Sequence, residues 1–340
     1  MTRRTHRPDA TQPTRSNRLR SQNRWAPRPV DVRVLATLTV WLWLVSSVMS
    51  QAASADPELI PSAVSQRVGQ VLGERHVDVS AKWPGGASRG LRDVFQDSVS
   101  AVPLVIAQDA TGSAVVVRID SQTNTALVVT NQHVVESPFI TEGKNIRFVM
   151  LVFYEPALAT TVLDLSRVAQ CLTTQEGSAW CSTLRGVTRV GVIVGSDPSR
   201  DLALLVIQGV PKSVRPLAMG TVDAVRPGDD VVVIGHPLRL LWSITTGIVS
   251  GVRSNYQMSA SGVEGTVVQT QTPINPGNSG GPLLTSDGKL IGVIFQASTV
   301  RAAQQNPGTD VRVVAPGLNF AIGINEVQGF IRRSSAQAPR

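Results

Sequence analysis

The 340-residue chain is 42% hydrophobic and 16% charged, which excludes a disordered protein and allows a sizeable core in one large domain or two packed ones. Its formal charge of +8 and pI near 10.4 suggest a nucleic-acid partner, but nine of its 32 basic residues precede residue 34, against two of its 24 acidic ones. The 23 basic and 22 acidic residues that remain leave the body nearly neutral, so no nucleic-acid partner is expected.

Residues 34–50, VLATLTVWLWLVSSVMS, form an apolar run behind that arginine-rich stretch, and QAASADPE follows with small residues at Ala53 and Ala55. A basic segment, an apolar core and a small-residue exit predict an export signal over residues 1–55, cleaved before Asp56, and a periplasmic or secreted protein. The alternative is an uncleaved membrane anchor, although a spanning helix needs about 20 apolar residues and this run is shorter. A membrane contact is expected only in that case. Residues 56–100 read as an N-terminal extension with no assigned role.

From residue 103 onward short Val- and Ile-rich runs recur with turn signals between them: VPLVIA, SAVVVRI, ALVVT, IRFVMLVFY, VTRVGVIVG, LALLVI, DVVVIG, ITTGIVSGV, GTVVQTQ, KLIGVIF and LNFAI. DSQTN at 120–124 and SDGK at 286–289 are the clearest hairpin turns. The series predicts an all-β chain, as an antiparallel barrel or sandwich. INEVQGFIRR near the end is the convincing helix, with Ile324, Val327 and Ile331 on one face. Pro and Gly interrupt the strands over roughly residues 208–230, dividing the body into halves at 101–215 and 216–333, followed by a tail at 334–340. Residues 139–190 fit no regular scheme. Cys171 and Cys181, the only cysteines, lie there ten positions apart, a spacing that in an oxidising compartment predicts a small disulfide loop and not a metal site.

The octapeptide NPGNSGGP at 275–282 encloses Ser279 in three glycines and two prolines, either a plain surface turn or a nucleophile whose amides face a reacting oxygen. A serine hydroxyl needs a base and a third group that fixes the base's tautomer. His6 falls in the export segment and His76 in the extension. His133, at the end of ALVVTNQHVV, is the candidate base, with His236 before Pro237 as its competitor. Asp201, leading into LALLVI, is the candidate acid, while Asp197 before a proline reads as a turn residue. GNSGG also fits the Gly-x-Ser-x-Gly elbow, but no histidine follows Ser279 as that class requires. The order Asp201, His236, Ser279 would suit an α/β subtilisin-type sheet, which the strand pattern contradicts. The order His133, Asp201, Ser279 is that of chymotrypsin and agrees with a β-barrel.

TNQHVV, DPSRDLALLVI, VVVIGHPLRLLWSITTGIVSGV, VQTQTPINPGNSGGPLL, KLIGVIF and GLNFAIGINEV, in that order over roughly residues 103–333, resemble the HtrA or Deg branch of the trypsin-like serine proteases. The resemblance implies two antiparallel six-stranded β-barrels of chymotrypsin type with a C-terminal helix, and a serine endopeptidase acting on extended or misfolded polypeptides without a cofactor or metal. It implies His133, Asp201 and Ser279 as the triad, the amides of Gly277 and Ser279 as the oxyanion hole with Asn278 as a further donor, and Ile274 and Ala297 as pocket-lining residues. No acidic residue stands at the pocket, which implies a preference for small or medium aliphatic side chains. Asn278 replaces the aspartate that pairs with a newly cut N-terminus in digestive relatives, so zymogen activation of that kind is not expected. The chain departs from the pattern in the 68 positions between His133 and Asp201, which the resemblance implies hold an inserted loop at 139–190 stapled by Cys171 and Cys181, in QTQTPIN before the nucleophile, and in the expected lack of a PDZ domain, which leaves oligomer formation open. The reading that competes with an enzyme is a catalytically silent chaperone or binding module on the same fold.

Overall fold

The computed structural model describes residues 90–141, 145–174, 176–258, 263–301 and 312–336. The predicted export segment, His6, His76, the extension up to residue 89 and residues 337–340 lie outside the described residues.

Helix α1 (Leu91–Ser98) leads into β1 (Leu104–Ile106), β2 (Thr111–Ser113), β3 (Val115–Asp120), β4 (Thr125–Thr130), β5 (Phe139–Ile140) and β6 (Arg147–Val152). Three helices follow, α2 (Pro156–Ala159), α3 (Leu165–Thr173) and α4 (Ala179–Val187), before β7 (Thr188–Asp197) and β8 (Leu202–Gln208) complete the first sheet. Its order is β2-β1-β6-β7-β8-β4-β3, with β5 pairing β6 to one side. The two ends of that order, β2 and β3, are separated in the chain by Ala114 alone. They are one bent strand whose halves pair with β1 and β4, so the chain itself closes a ring of six.

The second half is a closed barrel in hydrogen bonding, β10-β11-β14-β13-β12-β9, built from β9 (Asp230–Gly235), β10 (Ser243–Gln257), β11 (Glu264–Thr270), β12 (Pro282–Thr285), β13 (Leu290–Arg301) and β14 (Arg312–Gly323). Helix α5 (Ile324–Ala336) follows and buries Ile324, Val327 and Phe330 on the face predicted for it, with Ile331 partly covered. The architecture is therefore all-β with two six-membered strand rings and a C-terminal helix.

Local chemistry explains both predicted hairpins. Between β3 and β4 the Asp120 carboxylate accepts from Gln122 N at 2.9 Å and from Thr123 Oγ1 at 2.8 Å, and Asn124 takes the left-handed φ of 49° that an asparagine tolerates. Between β12 and β13, Gly288 at φ 85° closes the turn, with its N–H donated to Thr285 O. Strands β4 and β8 are buried along nearly their whole length, which is why ALVVT and LALLVI read as unbroken apolar runs. Each fully buried Leu, Ile or Val there contributes about 1.5–3 kcal/mol relative to exposure, so these strands are rigid supports for what hangs from their ends.

Residues 139–190 differ from the expected loop. Their first part supplies β5 and β6 to the ring, and their second part is helical. The Asp164 carboxylate caps α3 by accepting from the Ser166 and Arg167 amides, and Ser178 Oγ caps α4 by accepting from Cys181 N. Cys171 on α3 and Cys181 on α4 are joined in a disulfide with their Cα atoms 5.0 Å apart.

Candidate active site

His133 stands in a one-turn 3-10 helix just beyond the buried end of β4, and Asp201 in the turn that opens β8. β4 and β8 are hydrogen-bonded neighbours, with Thr130 opposite Ala203, so pairing the two strands brings residues 68 positions apart together. His133 Nδ1 lies 2.7 Å from Asp201 Oδ2, while the backbone N–H of His133 donates to Oδ1 at 2.9 Å. Both oxygens of one carboxylate are thus engaged by one residue. An ionised carboxylate only accepts, so Nδ1 carries the hydrogen and Nε2 presents a lone pair. Asp201 has a left-handed φ of 53°, a region that an aspartate visits more readily than most non-glycine residues, and the Asn131 side-chain amide holds it there by donating to its carbonyl at 2.9 Å.

The other candidates are placed elsewhere. Asp197 is tied to Arg200 at 3.3 Å and Arg333 at 3.2 Å; burial alone would raise its carboxyl, but the Ser199 hydroxyl together with the Arg200 charge and hydrogen bonds outweighs it and holds the group below the usual range. His236 is fully buried.

Ser279 is half-buried in the loop between β11 and β12. This loop and the turn bearing His133 meet over Gly112: a Cβ there would lie 2.7 Å from both methyls of Val134 and 3.1 Å from Ser279 O. Next along the chain, Ser113 N donates to Ser279 O at 2.8 Å and Thr130 Oγ1 donates to Ser113 O at 2.7 Å. The bent strand β2–β3 therefore links the base-bearing and serine-bearing segments through backbone contacts.

The carbonyls around Ser279 are anchored one by one. Pro276 O accepts from Leu238 N at 2.8 Å, Gly277 O from Ser113 Oγ at 2.7 Å, and Asn278 O from Gly281 N at 2.9 Å. In a trans peptide the N–H points opposite the C=O, so fixing Pro276 O and Asn278 O fixes the directions of the Gly277 and Ser279 N–H groups. Among the described residues neither N–H has a backbone acceptor, whereas Asn278 N donates to Asn275 O at 3.0 Å and turns into the loop. Gly277 reaches this conformation with φ 103°, and a Cβ on it would overlap His236 O.

Beneath the loop lies a buried polar pair that the sequence did not reveal. Ser113 Oγ gives its single hydrogen to Gly277 O, so it accepts from His236 Nδ1 at 2.9 Å. That assigns the hydrogen to Nδ1 and leaves Nε2 as an acceptor with no partner among the described residues. Burial lowers the His236 pKa from 6.5 to about 3, which keeps the ring neutral. The Trp242 ring packs edge-on to it at 5.5 Å and donates its Nε1–H to Val102 O at 2.9 Å. The signal available in the sequence was Gly112-Ser113 ahead of a strand, which says nothing of partners 123 and 164 positions away.

Ile274 is buried, five positions before Ser279. Ala297 pairs with Asn319 across β13 and β14, and its side chain lies outside the described part of the molecule. The group of potential metal ligands found among the described residues, Cys171, Glu176 and Cys181, has both sulfurs joined in the disulfide.

Comparison with known proteins shows what this chain is similar to. The chain is 36% identical over 149 residues to the serine protease PepD of Mycobacterium tuberculosis, covering 42% of this chain and 31% of that protein. It is 34% identical over 170 residues to the chloroplastic protease Do-like 5 of Arabidopsis thaliana, covering 50% of this chain and 48% of that one. The chain thus spans less than half the length of these relatives. The crystal structure of Deg5 aligns over 70% of this chain and 90% of its own at 26% identity, with a TM-score of 0.47. The model of the trypsin-like peptidase domain matches residues 112–293, more than half of the sequence, and the chain belongs to that family.

Proposed function

We propose that the protein is a serine endopeptidase that cleaves extended or misfolded polypeptides through an acyl-enzyme, with His133, Asp201 and Ser279 as its triad. The observation that carries this reading is the two-point grip of Asp201 on His133, which engages Nδ1 and leaves the Nε2 lone pair as an acceptor. In this reading Ser279 Oγ attacks the scissile carbonyl carbon while His133 Nε2 takes the hydroxyl proton, and Asp201 stays ionised and stabilises the imidazolium. The carbonyl oxygen becomes an oxyanion received by the Gly277 and Ser279 N–H groups. Collapse of the tetrahedral intermediate breaks the C–N bond, and His133 returns the proton to the leaving amine. Water, deprotonated by the same imidazole, then attacks the acyl-enzyme and releases Ser279.

Ile274 and Ala297 are proposed to line the pocket for the residue before the cleaved bond, with a preference for small or medium aliphatic side chains. Export is proposed from the N-terminal segment, and the Cys171–Cys181 disulfide suits an oxidising compartment. A fluorophosphonate probe is expected to label the protein and fail on Ser279→Ala; equal labelling of both would remove the assignment. Mass measurement of the mature N-terminus tests export, with a start at Asp56 expected and an intact Met1 pointing to an anchor.

A further inference from the structure

β6 and β7 are neighbouring antiparallel strands with Val152 opposite Thr188, a junction that a tight turn could close. The chain instead makes the helical excursion α2–α4 over residues 153–187. It is built as a stiff unit. Besides the disulfide and two capped helices, the Arg185 guanidinium donates to Cys171 O at 2.6 Å and Glu176 O at 2.7 Å, and the Arg167 guanidinium lies 4.3 Å over the Trp180 ring. Leu158, Leu163, Val168 and Leu184 are buried within it.

This unit reaches across to the segment between β9 and β10 in the second barrel. Leu163 N donates to Arg239 O at 3.1 Å, Val162 and Leu240 form an antiparallel bridge, and the Tyr154 ring meets Trp242 edge-on at 5.2 Å. The segment it grips is unusual: Leu238, Arg239 and Trp242 all have left-handed φ, at 52°, 67° and 48°. None is Gly, Asn or Asp, so each is disfavoured in this region and the conformation persists only where the surroundings impose it. The same segment supplies the Leu238 N–H that holds Pro276 O, and with it the direction of the Gly277 N–H.

We propose that the disulfide-stapled insertion is a positioning element for the Gly277 amide, acting through Leu163 and Tyr154 on residues 238–242 and through Leu238 on Pro276. The proposal rests on the peptidase reading for its catalytic consequence and on the strained segment for its structural one. Contacts run without a gap from the insertion through Arg239 O and Leu238 N to Pro276 O, and the left-handed residues give the segment a relaxed conformation to fall into if the insertion lets go.

Two perturbations release the contact. Leu163→Pro removes the N–H donated to Arg239 O, with Leu163→Ile as the variant that keeps it. Replacing residues 154–186 by Asn-Gly removes the unit and leaves β6 and β7 joined by a hairpin, so a failure of Leu163→Pro to fold does not stop the test. Amide hydrogen exchange at Leu238 is expected to rise at least tenfold in both, and kcat on a peptide amide to fall at least tenfold with KM within twofold, while Leu163→Ile behaves as the parent. Unchanged exchange at Leu238, or accelerated exchange with unchanged kcat, overturns the proposal. If parent protein and Leu163→Ile cleave no peptide at all, the peptidase reading fails by itself, and the exchange measurement alone decides whether the insertion holds the segment.

Discussion

Acidification should destabilise this fold through one residue more than through any other buried group described. His236 is fully buried and neutral, with its pKa lowered to about 3 by burial against 6.5 in an unfolded chain. Between those values the unfolded state binds a proton that the native state refuses, so stability is intact above pH 6.5 and falls as the pH drops toward 3, by about 1.4 kcal/mol per unit. From pH 7 to pH 5 the loss from this residue is about 2 kcal/mol, a large share of the roughly 5–15 kcal/mol of a typical domain. The perturbation is His236→Asn, whose amide nitrogen can take the place of Nδ1 as donor to Ser113 Oγ and does not titrate. Urea unfolding of both proteins at pH 7 and pH 5 gives the difference directly, because titrations elsewhere are common to the two. The stability of the variant relative to the parent should improve by about 2 kcal/mol on going to pH 5. A relative stability that does not change between the two pH values would refute the picture of a neutral, sealed imidazole under the loop of Ser279.

Three further outcomes follow from the geometry of the site. Gly277→Ala places a Cβ on His236 O and its carbonyl carbon, 3.0 Å away, so the loop must move and kcat should fall by about 10²–10³ with little change in KM, measured by steady-state peptide hydrolysis. Asp201→Asn presents an amide to His133 Nδ1 and favours the wrong tautomer, with an expected loss of about 10⁴ in kcat and retained folding by circular dichroism. Ser113→Ala leaves the His236 Nδ1–H and Gly277 O unpaired in the core, and should lower the urea-unfolding free energy by about 2–4 kcal/mol.

How much of this could be read beforehand depended on the range of the interaction. Asp120 and Gly288 act on residues two or three positions away, so DSQTN and SDGK announced their hairpins in the chain itself. His133 and Asp201 were legible because each adjoins an unbroken apolar run, and those runs are the paired strands β4 and β8. Helices α3 and α4 were hidden by their length of nine residues and by the turn-forming Gly177 and Pro156 nearby, which obscure a 3.6-residue period; the caps Asp164 and Ser178 were the better signal. Ser113, Asn131 and His236 offered no local sign, since a polar residue in the core is explained only by a partner that folding brings from another strand. The closing of the first ring was equally invisible: nothing in TGSAVVV says that the strand bends at Ala114.

That bend has a consequence for how the molecule fails. The seam at Ala114 shuts the first barrel on one side and floors the loop of Ser279 on the other, through the amide and hydroxyl of Ser113. A barrel closed by its own chain offers no long raw edge to a foreign strand at this place, and prising it apart drags the Ser279 loop with it. Unfolding of this barrel therefore carries the Ser279 loop with it, so any activity that depends on that loop disappears when the barrel opens, although the loop can fail while the barrel stands.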